Sequence, residues 1–129
     1  MSFEKEIGRI GEQLVAEWLK SKGYIITVQN FRSDYGDIDI VAENPKTVAF
    51  VEVKTRKADS LVEPKNAVDK AKQRKLAITA KKFLKMAMLG DIKYRFDIAE
   101  VTYARDESGA LKDSLNYIKN AFFYDLSDD

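Results

Sequence analysis

Asp37, Asp39, Glu52 and Lys54 sit at alternating positions of two short apolar runs, Gly36-Asp37-Ile38-Asp39-Ile40-Val41-Ala42 and Val48-Ala49-Phe50-Val51-Glu52-Val53-Lys54-Thr55-Arg56. Strands of this kind rarely carry Asp, Glu and Lys at inner positions without a chemical reason. The intervening Glu43-Asn44-Pro45-Lys46-Thr47 has turn chemistry, so the two runs are expected to form an antiparallel hairpin. A loop symmetric about Pro45–Lys46 sets Asp39 opposite Glu52, Asp37 opposite Lys54, Ile40 opposite Val51 and Ile38 opposite Val53. Opposed residues share a face. One face is then all core: Ile38, Ile40, Ala42, Ala49, Val51 and Val53. The other carries the four charged residues together with Val41, Val48 and Phe50.

Two carboxylates held ~4 Å apart at an effective dielectric of ~20 repel by roughly 4 kcal/mol. Such a pair persists where one member is protonated or a cation lies between them. A hard divalent ion such as Mg²⁺ or Mn²⁺ suits oxygen donors and leaves positions for water and phosphate. Lys54 would then orient or help deprotonate a water, or steady charge building on a phosphate. The alternative is an exposed sheet face on which Lys54 pairs with Asp37 and Glu52. The chain has no histidine and no cysteine, which excludes Ser-His-Asp triads, thiol catalysis, disulfides and His-Cys zinc sites. Chemistry here must use carboxylates, lysine, hydroxyls and a metal.

The elements that hold these residues follow from periodicity. Residues 3–22 form an amphipathic helix with Ile7, Ile10, Leu14, Val15 and Trp18 on one stripe, Ser2 as N-cap and Gly23 as its stop. Glu12 lies at the edge of that stripe between Gly8 and Ala16, with Gly11 beside it. Each helix glycine costs about 1 kcal/mol relative to Ala, which implies compensation by close packing or by a ligand. Tyr24–Gln29 is a first strand, Asn30–Tyr35 a polar connection, and Lys57–Lys65 a loop. Residues 67–87 form a second helix capped by Asn66, with Asp69 in its first turn and a stripe of Val68, Leu76, Thr79, Ala80, Phe83 and Met86. Lys72 falls inside that stripe and Lys75 at its edge. Ile92–Val101 is a further strand, in which Arg95 and Asp97 form a structural pair. Tyr103–Asp113 is a polar turn region, and Leu115–Phe122 a last strand or edge element.

Length and composition fit one globular domain over residues 1–129, with an acidic tail, Asp125–Asp129, expected to fray. No apolar run is long enough for a membrane helix and the N-terminus lacks a signal-peptide pattern, so a cytoplasmic protein is expected. Net charge is +1, yet Lys65, Lys70, Lys72, Arg74, Lys75, Lys81, Lys82 and Lys85 face Asp69 alone between residues 65 and 86. That segment is either an electrostatic footprint for a polyanion or a solvated helix face.

The Gly-Asp-Ile-Asp…Val-Glu-Val-Lys-Thr-Arg block resembles the YraN-like family of small bacterial proteins. That family is similar to Holliday-junction resolvases and to the restriction-endonuclease-like superfamily with its PD-(D/E)xK signature. The signature would be Asp39 followed by Glu52-Val53-Lys54, with Ile38 where the motif name has Pro. Gly11-Glu12, Asn30-Phe31-Arg32 and Arg95-Phe96-Asp97 also match family positions, and the likeness runs from about Ile7 to Phe122. It implies an α/β fold with a restriction-endonuclease-like core, α-β-β-β-α-β, in which helices flank a mixed central sheet; the element order read above agrees. It further implies metal ligation by Asp39, Glu52 and the Val53 carbonyl, with Glu12 as a third acidic residue.

The resulting expectation is a Mg²⁺- or Mn²⁺-dependent DNA endonuclease acting on structured or branched DNA, in which Asp39, Glu52, Lys54 and Glu12 carry the chemistry. Arg32, Arg56, Lys72 and Lys75 are the candidate nucleic-acid contacts, and a symmetric homodimer is expected because two strands must be cut. The alternative is a nucleic-acid-binding accessory protein that keeps the fold without turnover.

Overall fold

The apolar runs around Ile40, Val51 and Ile98 are buried from both sides, and this sets the layering of the chain. A computed structural model describes residues 3–59 and 68–127, with the side chain of Glu4 left aside. Among these described residues two helices, α1 (Phe3–Ser21) and α2 (Lys70–Met86), pack on a five-stranded mixed sheet. Its strands are β1 (Ile25–Ser33), β2 (Gly36–Glu43), β3 (Thr47–Lys57), β4 (Lys93–Arg105) and β5 (Leu111–Phe122), in spatial order one to five. Only β3 and β4 run parallel; the other neighbours are antiparallel. The connection between that parallel pair passes through α2, as a parallel pair requires. The fold is therefore α/β, with the expected element order plus an edge strand.

Each face of the sheet has its own core. Toward α1 lie Val15, Ala16 and Leu19 of the helix with Ile40, Ala42, Ala49, Val51, Ala99 and Val101. Toward α2 lie Leu76, Ala77, Ala80 and Phe83 with Ile38, Val41, Val48, Phe50, Phe96 and Ile98. Burying each large side chain contributes roughly 1.5–3 kcal/mol relative to exposure. The Phe83 ring meets Phe31 and Phe50 edge-on at centroid distances of 5.4 and 5.9 Å, and Phe96 stacks on Phe122 at 4.9 Å. Buried on both faces, β3 reads as one continuous apolar run rather than an alternation.

Several boundaries differ from the sequence reading. Asn30–Ser33 is the second half of β1, not a loop, because it pairs with the start of β2: Phe31 with Ile38 and Arg32 with Asp37. An edge strand has one side in solvent, so polar residues suit it. Helix α2 begins after Asp69, whose carboxylate accepts the Lys72 N–H at 2.9 Å and makes it the N-cap. The expected caps Ser2 and Asn66, and most of the expected loop Lys57–Lys65, lie outside the described residues. Strands β4 and β5 extend into the expected turn region, leaving only Asp106–Ala110 between them; the Asp106 carboxylate accepts N–H groups from Ser108 and Ala110. Met86 is 62% exposed and is not part of the α2 stripe. Among the described residues no helix is long and apolar enough to cross a membrane.

Candidate active site

The hairpin register holds at Ile40–Val51, Val41–Phe50, Ala42–Ala49 and Glu43–Val48, and then stops. Beyond it β2 continues against β1 down to Gly36, while β3 continues against β4 to Lys57. The expected ladder pairs Asp39–Glu52, Ile38–Val53 and Asp37–Lys54 are therefore not formed. Ile38 also turns to the α2 core rather than sharing a face with Ile40, so the side-chain alternation slips at Asp39. The strands part here, and a side chain fills the gap. Asp39 Oδ2 accepts the Val53 N–H at 2.8 Å, satisfying a donor that a continued ladder would have used.

Parting the strands does not separate the carboxylates electrostatically. Burial pushes Asp39 up from its usual range to about 7, and the Glu52 charge adds to that rise. Glu52 is 6% exposed and is held by two ammonium groups: Lys72 Nζ at 2.8 Å and Lys54 Nζ at 3.4 Å from its Oε1. Lys54 is lowered below the ordinary lysine value, mainly by burial and then by the neighbouring Lys72. Burial opposes the charge on Lys72 too, but the Glu52 carboxylate outweighs it and holds Lys72 high. One carboxylate that resists ionisation thus stands beside one that two lysines neutralise.

Helix α1 closes the third side. Glu12 is half-buried and shifted upward, first by burial and also by Glu52, while a long 3.5 Å contact from Asn30 Nδ2 opposes the shift. Asn30 has φ +57°, a left-handed conformation that Asn tolerates. A Cβ on Gly11 would overlap Thr55 Oγ1, so this glycine lets α1 approach β3 closely. Around Gly8 there is open space. A depression of about 380 Å³ results, lined by Gly8, Glu12, Asp39, Glu52, Lys54 and Thr55 and walled by Ile7, Val53 and Tyr103.

A hard divalent cation suits these donors, since the carboxylate pair repels itself and is offered oxygen chemistry only. Among the described residues no three acidic side chains are gathered closely enough to hold an ion, so the expected cluster of Asp39, Glu52 and Glu12 is not drawn together as a three-carboxylate site. The Lys72 ammonium now supplies the positive charge that such an ion would bring.

Of the other expected contacts, Lys72 reaches the centre of the site. Arg56 is partly buried two residues along β3 from Lys54, whereas Arg32 and Lys75 are exposed on the outer strand and on α2. Arg95 and Asp97 are structural: Arg95 Nε donates to both Asp97 oxygens at 2.9 and 3.0 Å, and Tyr117 Oη and the Asn120 N–H complete the buried carboxylate's partners. Thr55 and Tyr103 join the site without a chemical signal of their own in the sequence. Thr55 lies inside the motif block, while Tyr103 reaches the site only because β4 runs beside β3, which no local pattern announces.

Residues 11–101 match the model of the family described as Uncharacterised protein family UPF0102. A UPF0102 protein of Clostridium perfringens is 39% identical over 93% of this chain and 96% of its own length. Those of Alkaliphilus metalliredigens and Caldicellulosiruptor saccharolyticus are 36% and 40% identical, over 93% and 92% of this chain and 100% and 98% of their own.

Proposed function

The chain belongs to the uncharacterised protein family UPF0102, and from its carboxylate pair we propose a Mg²⁺- or Mn²⁺-dependent, resolvase-like endonuclease that hydrolyses phosphodiester bonds in structured or branched DNA. The observation that carries this reading is that Asp39 and Glu52 line one depression open to solvent, where the Glu52 charge raises Asp39 and two lysines stand against Glu52. Asp39 and Glu52 would hold the ion. Once bound, it supplies Lewis-acid stabilisation of phosphate charge and a more acidic water.

The protein's own groups do the rest. Lys54, destabilised as an ammonium by burial, is suited to exchange a proton with water or to donate to a phosphate oxygen. Lys72 faces the same point from α2 and neutralises a phosphate once it leaves Glu52. Glu12 walls the depression on the helix side. Arg32, Arg56 and Lys75 would contact the DNA backbone, and a two-fold dimer would present two such sites.

Cleavage of labelled four-way junctions, flaps and single strands with Mg²⁺ or Mn²⁺ tests the reading. Wild-type protein is expected to cut, and Asp39→Ala and Glu52→Gln to lose at least a hundredfold in rate. Equal products from wild type and Asp39→Ala would defeat it.

A second reading, a DNA-binding protein without turnover, is favoured by the Lys72–Glu52 contact at 2.8 Å, which already neutralises the buried carboxylate. It predicts salt-dependent DNA binding that survives Glu52→Ala, and no calorimetric signal for millimolar Mg²⁺.

A further inference from the structure

The carboxyl ends of the parallel strands β3 and β4 open onto a second cavity, of about 450 Å³, beside the carboxylate site. Crevices outside the carboxyl ends of parallel strands are common ligand sites in α/β sheets. Tyr103 is the wall between the two spaces, bordering both this cavity and the acidic depression. Its ring meets Phe3 edge to face, with centroids 6.4 Å apart at 74°, and Phe3 is 52% exposed. Lys57, Asp59 and Arg105 line the same cavity, with Arg105 Nη1 donating to the Gly109 carbonyl at 2.9 Å.

This combination has a chemical meaning. Aromatic rings left partly open to solvent, in a cavity that also holds cations, bind single strands by stacking a base while the cations take the phosphates. A carboxylate such as Asp59 can accept from a base amino group. Lys57 pairs with Tyr103 in the sheet register and lies three residues beyond Lys54, roughly 10 Å along the strand at about 3.3 Å per residue. A phosphate over Asp39 and Glu52 therefore places a neighbouring nucleotide at the rings. In intact duplex the bases cover one another's faces, and bringing one to the rings would require unstacking it.

We propose that the Phe3–Tyr103 cavity is a stacking pocket for an unpaired nucleobase, so that the substrate is DNA with an unpaired nucleotide next to the scissile phosphate. The link to a scissile phosphate rests on the nuclease reading above; the pocket itself is testable without turnover.

The experiment uses the full chain in EDTA with a DNA flap carrying 2-aminopurine at its unpaired branch nucleotide, and with the matched duplex. Wild type is expected to bind the flap more tightly than the duplex and to quench the probe as it stacks. Tyr103→Leu is expected to weaken flap binding about tenfold and to abolish the quench, with Tyr103→Phe retaining both and duplex affinity falling less than flap affinity. Phe3→Ala, at an exposed helix end, should weaken flap binding in the same direction without disturbing the core. Equal flap and duplex affinity in the wild type, or unchanged quenching in Tyr103→Leu and Phe3→Ala, overturns the pocket. Quenching without cleavage in Mg²⁺ removes the nuclease reading and leaves the pocket; cleavage without quenching does the reverse.

Discussion

The carboxylate of Asp39 accepts the backbone N–H of Val53 at 2.8 Å, across the gap where β2 and β3 have stopped pairing. One side chain thereby ends a ladder, satisfies its last donor and places a carboxylate beside Glu52. The position is costly, because burial and the Glu52 charge raise Asp39 to about 7.

The sign of the pH effect follows. A carboxyl whose folded value is raised binds more protons folded than unfolded, so its stabilisation is present below about 3.8 and is lost as pH rises toward 7. The whole shift corresponds to on the order of 4 kcal/mol. Asp39→Asn keeps an oxygen for Val53 but has no charge to ionise. In metal-free buffer it should be more stable than wild type at pH 8 and close to it at pH 4.5, by urea midpoints. A constant difference across that range would refute the assignment.

The ion pair of Lys72 with Glu52 makes a second prediction. Lys72→Met leaves Glu52 buried with only Lys54, 3.4 Å away. With the Lys72 side chain 39% exposed and screened by solvent, the loss is expected to be about 1–2 kcal/mol. Adding Glu52→Gln should recover much of it, a coupling visible in a double-mutant cycle by denaturant unfolding. Additive effects would mean that the two groups do not interact in solution.

How far these features could be read from the sequence depends on the range of the forces behind them. The hairpin register from Ile40 to Val51 followed from turn chemistry and period two, both local. Its end at Asp39 did not, because it depends on β1 and β4 claiming opposite sides of the parting strands. Arg32 looked like a loop residue since an edge strand tolerates polarity; only pairing with Asp37 makes it strand. Lys72 is a charge within an apolar stripe, and its partner is Glu52, a residue that only the tertiary fold brings to it. Tyr103 gave no signal, being an aromatic residue in a polar segment whose position depends on the parallel pairing with Lys57.

Asp97 separates fold from chemistry. Its side chain is fully buried and bonded to Arg95, Tyr117 and the Asn120 N–H. Burial first, and then the Asp97 charge, push the Tyr117 hydroxyl well above its usual range, so it stays a donor. Asp97→Ala leaves Arg95 without its carboxylate, keeping only Tyr24 as a partner, and should cost about 3–5 kcal/mol. Calorimetric melting should show that loss, while DNA binding per folded molecule stays at the wild-type value. A selective loss of binding at unchanged stability would instead put Asp97 in the site.

Gly8 and Gly11 lie one turn apart on α1 and should respond oppositely to the same substitution. A Cβ at Gly11 collides with Thr55 Oγ1, so Gly11→Ala is expected to destabilise by about 1–3 kcal/mol, with partial rescue by Thr55→Ala. At Gly8 a Cβ meets nothing within 4 Å, and relief of the helix-glycine penalty should stabilise Gly8→Ala by about 1 kcal/mol. Yet Gly8 lines the depression that holds Glu12, Asp39 and Glu52. If DNA enters there, the added methyl occupies space a phosphate or sugar needs, and affinity should fall severalfold while the melting temperature rises. Thermal melts alongside DNA titrations separate the two effects. A Gly8→Ala protein that is both more stable and fully able to bind would show that DNA does not approach this face of the helix.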